Sequence, residues 1–199
     1  MKSEIEALQS NHTWDLVTLP EGKTPICCKW IFKIKYKSTG EVERYKARLV
    51  AKGFNQQEGI DYQETFSPVV KMKTVRTVLA LAAKKGWCVH QMDVFNAFLQ
   101  GDLFDEIYME MPQGSQVRGR NKKQVCRLVK SLYGLKQAPR QWNAKLSKAL
   151  VELKFKQSEY DQSMFIKKDE SGIVIILVYM DDLLVTGDSL KIVKETKEK

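Results

Sequence analysis

The sequence predicts an α+β protein in which antiparallel hairpins pack against helices. Two stretches, near residues 28–49 and 173–186, carry hairpin patterns, and two others, 74–85 and one beginning near Pro139, carry the apolar periodicity of helices. The chain has 199 residues, of which 43% are hydrophobic and 29% charged. This length can form a core, and the composition is typical of a soluble globular protein.

The first hairpin has one mostly basic face. From Cys28 to Tyr36, apolar residues alternate with residues that are lysines except for Ile31. After a turn, three cations recur at every second position: Arg44, Lys46 and Arg48. Cationic side chains of both strands can therefore gather on one face, which favours phosphate binding. Lysines on an exposed edge can equally serve only to discourage aggregation.

Two helices follow from apolar periodicity. One is expected over 74–85 and should end at Gly86, a residue that tolerates the left-handed conformation common after a helix. A strand over 87–92 then leads to Asp93. The second helix should begin with Pro139 at its first position, because proline lacks the amide that is unsatisfied there anyway. Its apolar stripe is Trp142, Leu146, Leu150 and Leu153.

Two adjacent carboxylates, Asp181 and Asp182, interrupt an apolar run that begins at Ile173. The run reads as a strand buried on both faces, and a second strand is expected over 183–186, so the pair falls at the bend of a tight hairpin. Adjacent carboxylates repel, and desolvation penalises their charged forms further. A divalent cation resolves both costs, and Mg²⁺ is the default ion for oxygen ligands. The alternative is an ordinary turn, since Asp is a common turn former.

A third carboxylate, Asp93, also stands at the end of an expected strand. Strands from distant segments can pair in one sheet, so the three carboxylates could converge on its edge. Taken alone, Asp93 fits a turn or a helix cap as well.

Charge and cysteine content indicate the class of partner and the compartment. The net charge is +9, and residues 116–156 contain twelve Lys and Arg against one acid, Glu152. A polyanionic partner, nucleic acid first, is expected, although a solvated basic surface is the alternative. The four cysteines form no Cys-x-x-Cys pair and no signal-peptide or membrane-spanning pattern is found, so a reduced, intracellular protein is expected, without a choice between cytoplasm and nucleus.

Several blocks of the sequence together resemble one known family, the reverse transcriptases of copia-type retrotransposons. The match runs from Leu8 to Gly187, and its blocks occur in family order. They are Asn11-His12-Thr13-Trp14, Lys29-Trp30-Ile31-Phe32-Lys33, the stretch 45–54 (YKARLVAKGF), the stretch 61–69 (DYQETFSPV), the stretch 92–101 (MDVFNAFLQG), the stretch 132–142 (LYGLKQAPRQW) and Tyr179-Met180-Asp181-Asp182.

The resemblance implies an RNA-directed DNA polymerase with the right-hand architecture of fingers and palm. Residues 1–199 would form a partial reverse transcriptase domain, fingers-like over about 1–86 and 105–140 and palm-like over about 87–104 and 141–199. The thumb is expected to be absent, since few residues follow Gly187, and Met1 need not be a native start. RNA template, DNA primer and dNTPs would be the partners, no membrane would be involved, and integrase and ribonuclease H domains would flank the domain in a polyprotein.

The resemblance also assigns the chemistry. Asp93, Asp181 and Asp182 would be catalytic and would hold two Mg²⁺ ions together with Val94, Mn²⁺ being possible. These ions would activate the primer 3′-hydroxyl and stabilise the leaving pyrophosphate, so that no His or Cys nucleophile is needed.

Further residues would contact nucleotide, template and primer. For the incoming nucleotide they are Lys46, Arg48, Phe95, Asn96, Ala97, Phe98, Tyr133 and Gly134; for template and primer they are Lys136, Gln137, Pro139, Arg140, Tyr179 and Met180. Phe98 would exclude a 2′-hydroxyl, although it could equally be a core residue. Gly134 would let the backbone approach the ligand. The register between Lys35, Lys46 and Arg48 is left open.

Two other readings stand beside the polymerase. The chain could be a truncated, catalytically idle transposon remnant that retains nucleic-acid binding. It could also be an accessory polymerase subunit with a purely structural fold, which would bind no metal at the aspartates.

Overall fold

The computed structural model of the protein describes residues 2–115, 124–170 and 172–197. Its helices are α1 (Lys2–Ser10), α2 (Met72–Lys85), α3 (Ala97–Gln100), α4 (Ala138–Glu152) and α5 (Leu190–Lys197), with a 3₁₀ turn at Gly53–Asn55. Its strands are β1 (Trp14–Thr18), β2 (Cys28–Tyr36), β3 (Val42–Ala51), β4 (Val89–Asp93), β5 (Tyr108–Met109), β6 (Gln124–Leu128), β7 (Lys156–Gln157), β8 (Met164–Asp169), β9 (Gly172–Tyr179) and β10 (Asp182–Gly187). The named strands pair antiparallel, so the predicted mixture of helices and antiparallel sheets is confirmed.

The chain divides into two compact units. Unit 1 comprises residues 1–65 and 98–142, and unit 2 comprises 66–97 and 143–199. These boundaries fall elsewhere than the boundaries expected between fingers-like and palm-like segments; residues 66–86, for example, belong to unit 2. The identification of either unit as fingers or palm stays a prediction.

Unit 1 contains two separate sheets. One has the strand order β1-β6-β5, and the other consists of β2 and β3 alone, here called the basic hairpin. The core of the unit lies under the first sheet and includes Leu8 of α1, Leu49 and Ala51 of β3, and Met109 and Cys126. The far part of the basic hairpin lies outside this core, with Phe32 66% exposed and Tyr45 80% exposed.

Unit 2 is organised around a five-stranded sheet with the order β4-β10-β9-β8-β7. Ile176 and Val178 of β9 enter one apolar cluster, which includes Leu150 of α4 and Ile192 of α5. Ile175 and Leu177, pointing the other way, enter a second cluster with Val78 of α2. The strand β9 is therefore buried on both faces, as its apolar run predicts. We call β9, β10 and the loop between them the acidic hairpin.

Helix α2 is anchored at both ends. Gly86 follows it with a φ of 66°, in the left-handed conformation predicted for a helix end. At the other end the buried carboxylate of Asp161 accepts hydrogen bonds from the Lys71 amide (3.0 Å) and the Thr74 hydroxyl (2.5 Å). This carboxylate belongs to a loop far along the chain, so sequence periodicity could not have found the cap.

No helix in the described ranges is both long and apolar enough to cross a membrane. All four cysteines are free thiols. Burial raises the pKa of Cys126 to about 12, with Cys28 adding to the effect. The predicted reduced state of the cysteines thus agrees with the structure.

Candidate active site

The acidic hairpin turns through a two-residue loop. Tyr179 pairs with Asp182, which leaves Met180 and Asp181 as the loop residues. Met180 has a φ of 57°. Two-residue hairpin loops need a positive φ at the first position, and a residue other than glycine adopts it only under strain, which is concentrated at functional sites. The predicted tight hairpin is confirmed, with one correction: Asp182 is the first residue of β10 and not part of the bend.

The third carboxylate lies beside this loop in unit 2. Asp93 ends β4 and is the direct cross-strand partner of Asp182. Directly opposed residues of an antiparallel pair have Cβ atoms about 4.5–5.5 Å apart and point to the same face. The Val94 amide also donates a hydrogen bond to the Asp181 carbonyl (3.0 Å), which ties the segment after β4 to the loop.

The carboxylates nevertheless do not form a ready metal cluster. Among the residues that the structure describes, no three His, Cys, Asp or Glu side chains are grouped so that they could hold a metal ion. The Asp182 carboxylate instead accepts a hydrogen bond from the Gln91 side chain (Nε2 to Oδ1, 3.2 Å). Gln91 lies two residues before Asp93 and therefore on the same face of β4. Sequence reasoning missed it.

Two backbone amides in the turn after Asp93 form hydrogen bonds within unit 2. The Val94 amide is engaged by Asp181, and the Ala97 amide donates to the Val94 carbonyl (3.3 Å). The amides of Val94, an expected metal ligand, and of Ala97, an expected nucleotide contact, thus both have acceptors within unit 2. Asn96 has a φ of 53°, and the Phe95 side chain is exposed.

In unit 1, three of the predicted nucleotide contacts form a stack. The rings of Phe98 and Tyr133 meet edge to face, with centroids 5.1 Å apart and planes at 72°. The Arg48 guanidinium lies over the Tyr133 ring, its carbon 4.8 Å from the centroid. Phe98 is partly buried against the core, so both of its expected roles, core residue and ligand contact, agree with its position.

The pairing of the basic hairpin settles the register that the sequence left open. Lys46 lies opposite Lys33, Arg44 opposite Lys35, and Arg48 opposite Ile31. The cations of both strands therefore do share one face. Partial burial lowers the pKa of Lys46, and the charges of Arg48, Arg44 and Lys35 lower it further.

An acid from α1 approaches the same face. Burial raises the pKa of Glu4, while the charges of Lys46 and Arg48 oppose that rise. The sequence contains no signal for this proximity, because it depends on the packing of α1 against β3.

Close packing within unit 1 accounts for the glycine at position 134, for which the sequence suggested the approach of a ligand. A Cβ atom at this position would collide with the Ala51 carbonyl and with Val50, and the residue has a φ of 92°. The Ala51 amide also donates to the Tyr133 carbonyl (2.8 Å). Glycine is therefore required because the turn packs directly on the end of β3.

Two predicted template contacts are used inside unit 1. The Gln137 side chain is only 1% exposed and donates to the Asp61 carbonyl and the Asp105 carboxylate, both at 3.0 Å. The Lys136 ammonium donates to the Gln56 carbonyl (2.9 Å) and the Tyr62 hydroxyl (3.3 Å). In this arrangement Gln137 has almost no surface for a template, because the segment 56–62 covers it. The sequence block 61–69 includes only the end of that segment, and the sequence contains no signal for its contact with Gln137.

The other expected template and primer residues retain exposed surface. Arg140 is about half exposed and forms an ion pair with Glu64 (2.8 Å), while Pro139 is the second residue of α4 and partly buried. Tyr179 and Met180, in unit 2, are both exposed. Four of the basic residues counted in the sequence, Arg118, Arg120, Lys122 and Lys123, lie outside the described ranges.

Comparison with known proteins identifies the family. The sequence profile described as reverse transcriptase (RNA-dependent DNA polymerase) matches residues 11–199. The retrovirus-related Pol polyprotein from transposon TNT 1-94 of Nicotiana tabacum is 48% identical over 198 residues, which cover 99% of this chain and 15% of that polyprotein. The retrovirus-related Pol polyprotein from transposon RE2 of Arabidopsis thaliana is 49% identical over 197 residues, or 98% of this chain and 14% of that polyprotein.

A more distant relative is the Ty1-ER2 Gag-Pol polyprotein of Saccharomyces cerevisiae. It is 28% identical over 197 residues, which cover 94% of this chain and 10% of that polyprotein. The chain thus spans a small part of the length of each relative. Since the profile covers nearly all of its residues, the chain belongs to the reverse transcriptase (RNA-dependent DNA polymerase) family.

Proposed function

We propose that this chain is the polymerase part of a copia-type retrotransposon polyprotein, which extends a DNA primer on an RNA template by two-metal nucleotidyl transfer. The observation that carries the proposal is the pairing of Asp182 with Asp93 beside the loop that contains Asp181. Membership of the family supports the reaction class, and the right-hand architecture, with unit 2 as palm, is part of the same proposal.

The donor set fits a hard divalent cation. The groups at this end of the sheet are carboxylates and backbone carbonyls, the ligand types that Mg²⁺ and Mn²⁺ prefer. Asp93, Asp181 and Asp182 would hold the ions, with the Val94 carbonyl as a further oxygen. When bound, two such ions lower the pKa of an attacking hydroxyl and offset the charge on the leaving oxygens.

The protein's own residues would bind and orient. Asp182 would exchange its hydrogen bond from Gln91 for metal coordination, a change of side-chain orientation on a fixed backbone. In unit 1, Lys46 and Arg48 would bind the triphosphate by charge, and Phe98 would exclude a ribose 2′-hydroxyl by its bulk. Such phosphoryl transfer depends on positioning and charge, and so no nucleophilic side chain is required.

The cationic residues would hold nucleic acid without reading its sequence. Lysines and arginines of the basic hairpin, together with Arg140, would contact phosphates of the template or primer, which positions a strand but carries no sequence information. Fusion to integrase and ribonuclease H within a polyprotein, and action inside the cell, belong to this proposal as well.

A second candidate is a catalytically idle remnant that binds nucleic acid. It is favoured by the engagement of Asp182 with Gln91 and by the missing three-carboxylate cluster among the described residues.

Primer extension separates the two. The chain is given an RNA template, a DNA primer, dNTPs and Mg²⁺, and is compared with Asp181→Asn and with a matched control, Glu170→Gln. Glu170 is an exposed acid in the turn between β8 and β9 of the same sheet. If Asp181→Asn abolishes primer extension and Glu170→Gln retains it, the result supports the polymerase. Template binding by the unsubstituted chain without extension contradicts the polymerase and supports the remnant.

A further inference from the structure

The stack of Arg48, Tyr133 and Phe98 is held on a rigid base in unit 1. The flanking side chains of Leu132 and Leu135 are buried in the core. The Tyr133 carbonyl accepts a hydrogen bond from the Ala51 amide (2.8 Å), and Gly134 packs so closely on Ala51 that a Cβ atom would not fit. The backbone of Tyr133 is therefore fixed to the end of β3.

The same strand also supplies the cation above the Tyr133 ring. Arg48 lies three residues before Ala51 on β3, and its guanidinium carbon is 4.8 Å from the ring centroid. The Arg48 Nε atom is buried and has no hydrogen-bond partner among the described residues. A guanidinium over an aromatic face is stabilised by the ring quadrupole, and this further limits motion of the ring.

Phe98 meets this fixed ring edge to face, with centroids 5.1 Å apart. Edge-to-face pairs have a preferred geometry, so a Tyr133 ring with an anchored backbone and a cation over its face limits the orientations open to Phe98. The exclusion of one hydroxyl group by a ring depends on that ring not yielding, because an unconstrained side chain can change rotamer at small cost.

We propose that Tyr133 is a positioning residue for Phe98 and sets the discrimination between deoxyribonucleotides and ribonucleotides. This inference rests on the proposed function, in which Phe98 borders the sugar. Tyr133 acts through Phe98, because its ring meets the Phe98 ring edge to face. Arg48, an expected triphosphate contact, lies over the Tyr133 ring. The contact that carries the action of Tyr133 on Phe98 is the one between the two rings.

The test measures nucleotide binding and does not depend on turnover. The full chain is bound to an RNA template and a DNA primer that ends in a dideoxynucleotide, and the dissociation constants of the complementary dNTP and rNTP are measured. The ratio of the two constants is compared among the unsubstituted chain, Tyr133→Leu, Tyr133→Phe and Phe98→Ala. The contribution of an aromatic pair corresponds to about a three- to tenfold loss of discrimination in Tyr133→Leu. Tyr133→Phe keeps the ring and should keep the ratio.

The double variant Phe98→Ala/Tyr133→Leu distinguishes positioning from direct contact. If Tyr133 acts through Phe98, the double variant discriminates as poorly as Phe98→Ala alone. A further loss in the double variant would overturn the inference, because Tyr133 would then act on the sugar independently.

The remaining outcomes separate the inference from the proposed function. An unchanged ratio in Tyr133→Leu, with a lowered ratio in Phe98→Ala, overturns the role of Tyr133 and leaves the role of Phe98 intact. Failure of the unsubstituted complex to bind either nucleotide overturns both. If circular dichroism shows that Tyr133→Leu does not fold, Tyr133→Met, which also removes the ring but is longer and unbranched, is judged by the same ratio.

Discussion

The basic hairpin and the acidic hairpin have the same topology but opposite surroundings. The β9 strand of the acidic hairpin is covered on both faces by apolar clusters, whereas the basic hairpin is a two-stranded sheet with exposed aromatic residues on one face and cations on the other. Under the proposed function, the difference follows from what each hairpin would do with its charges. Carboxylates that repel one another need a backbone that holds them together, and a buried sheet provides it. Cations that contact phosphates can remain in water until the ligand arrives.

The comparison predicts very different costs for the same substitution in the two hairpins. Ile176 in β9 is 2% exposed and Ile34 in β2 is 41% exposed. Ile176→Ala should lower the free energy of unfolding by about 2–5 kcal/mol, since it leaves a cavity in a packed cluster. Ile34→Ala should cost less than about 1 kcal/mol, because Ile34 is partly exposed and belongs to none of the buried clusters of the described residues. Denaturant unfolding of both variants measures the difference, and similar costs would show that the basic hairpin is packed after all.

A second prediction concerns the support of the acidic hairpin. Asp161→Asn should lower the free energy of unfolding at neutral pH by about 1–3 kcal/mol, because it weakens the hydrogen bonds to α2, which covers the β9 sheet. Burial alone would raise the pKa of Asp161, but hydrogen bonds from Thr74, Lys71 and Ser163 lower it below its usual value.

The pH dependence of this effect has a definite sign. A carboxyl group whose pKa is lowered by folding stabilises the native state above its unfolded pKa and loses that contribution as pH falls through the folded value. The difference between the unsubstituted chain and Asp161→Asn should therefore shrink below about pH 4. Thermal unfolding from pH 7 to pH 3 measures it, with Glu21→Gln, an exposed acid in unit 1, as control. A difference that grows on acidification would contradict the assignment.

A third prediction concerns the cations of the basic hairpin. Replacing Lys33, Lys35 and Arg44 by Gln should weaken binding to single-stranded RNA about tenfold or more. It should also reduce the slope of log K against log salt by about two, if each cation neutralises one phosphate.

The matched control for this charge change is the triple replacement of Lys73, Lys84 and Lys85 in α2, which are also exposed. It removes the same net charge from unit 2. Equal losses in the two triple variants would show that binding follows net charge and not the basic face.

The smallest expected effect concerns repulsion within that face. Arg44→Gln should raise the pKa of Lys46, because the Arg44 charge is one of the causes that lower it. A lysine whose pKa is lowered by folding destabilises the native state at pH values below its folded pKa. Arg44→Gln should therefore be more stable than the unsubstituted chain at neutral pH, by less than about 0.5 kcal/mol. NMR titration of the Lys46 ammonium measures the shift, with Lys37→Gln as control, and a lower pKa would contradict the observed register.

Local patterns in the sequence predicted much of both hairpins and of α2. The alternation from Cys28 to Tyr36, the apolar run from Ile173 and the glycine after Lys85 each correspond to an element of the structure. These features depend on side-chain periodicity and on turn residues, which involve neighbours in the chain. The resemblance to the family added the expected partners of Asp181, which periodicity alone leaves open.

Such patterns could not predict which residues of the block 132–142 are used for packing inside the protein. Gln137 and Gly134 lie in a block that the resemblance assigns to ligands, yet one is buried against Gln56 and the other packs on Ala51. A glutamine has no periodic signature that separates a buried hydrogen-bonding role from a surface role. Only the segment that packs over it decides this.

By itself the sequence determined the family, the two hairpins and the three aspartates expected to carry the chemistry. The tertiary structure decided that Asp93 lies opposite Asp182, that Gln91 engages that carboxylate, and that Arg48, Tyr133 and Phe98 form one stack. The physical reason is that register between distant strands and contacts between distant side chains depend on how whole elements pack, whereas strand and turn formation depends on adjacent residues.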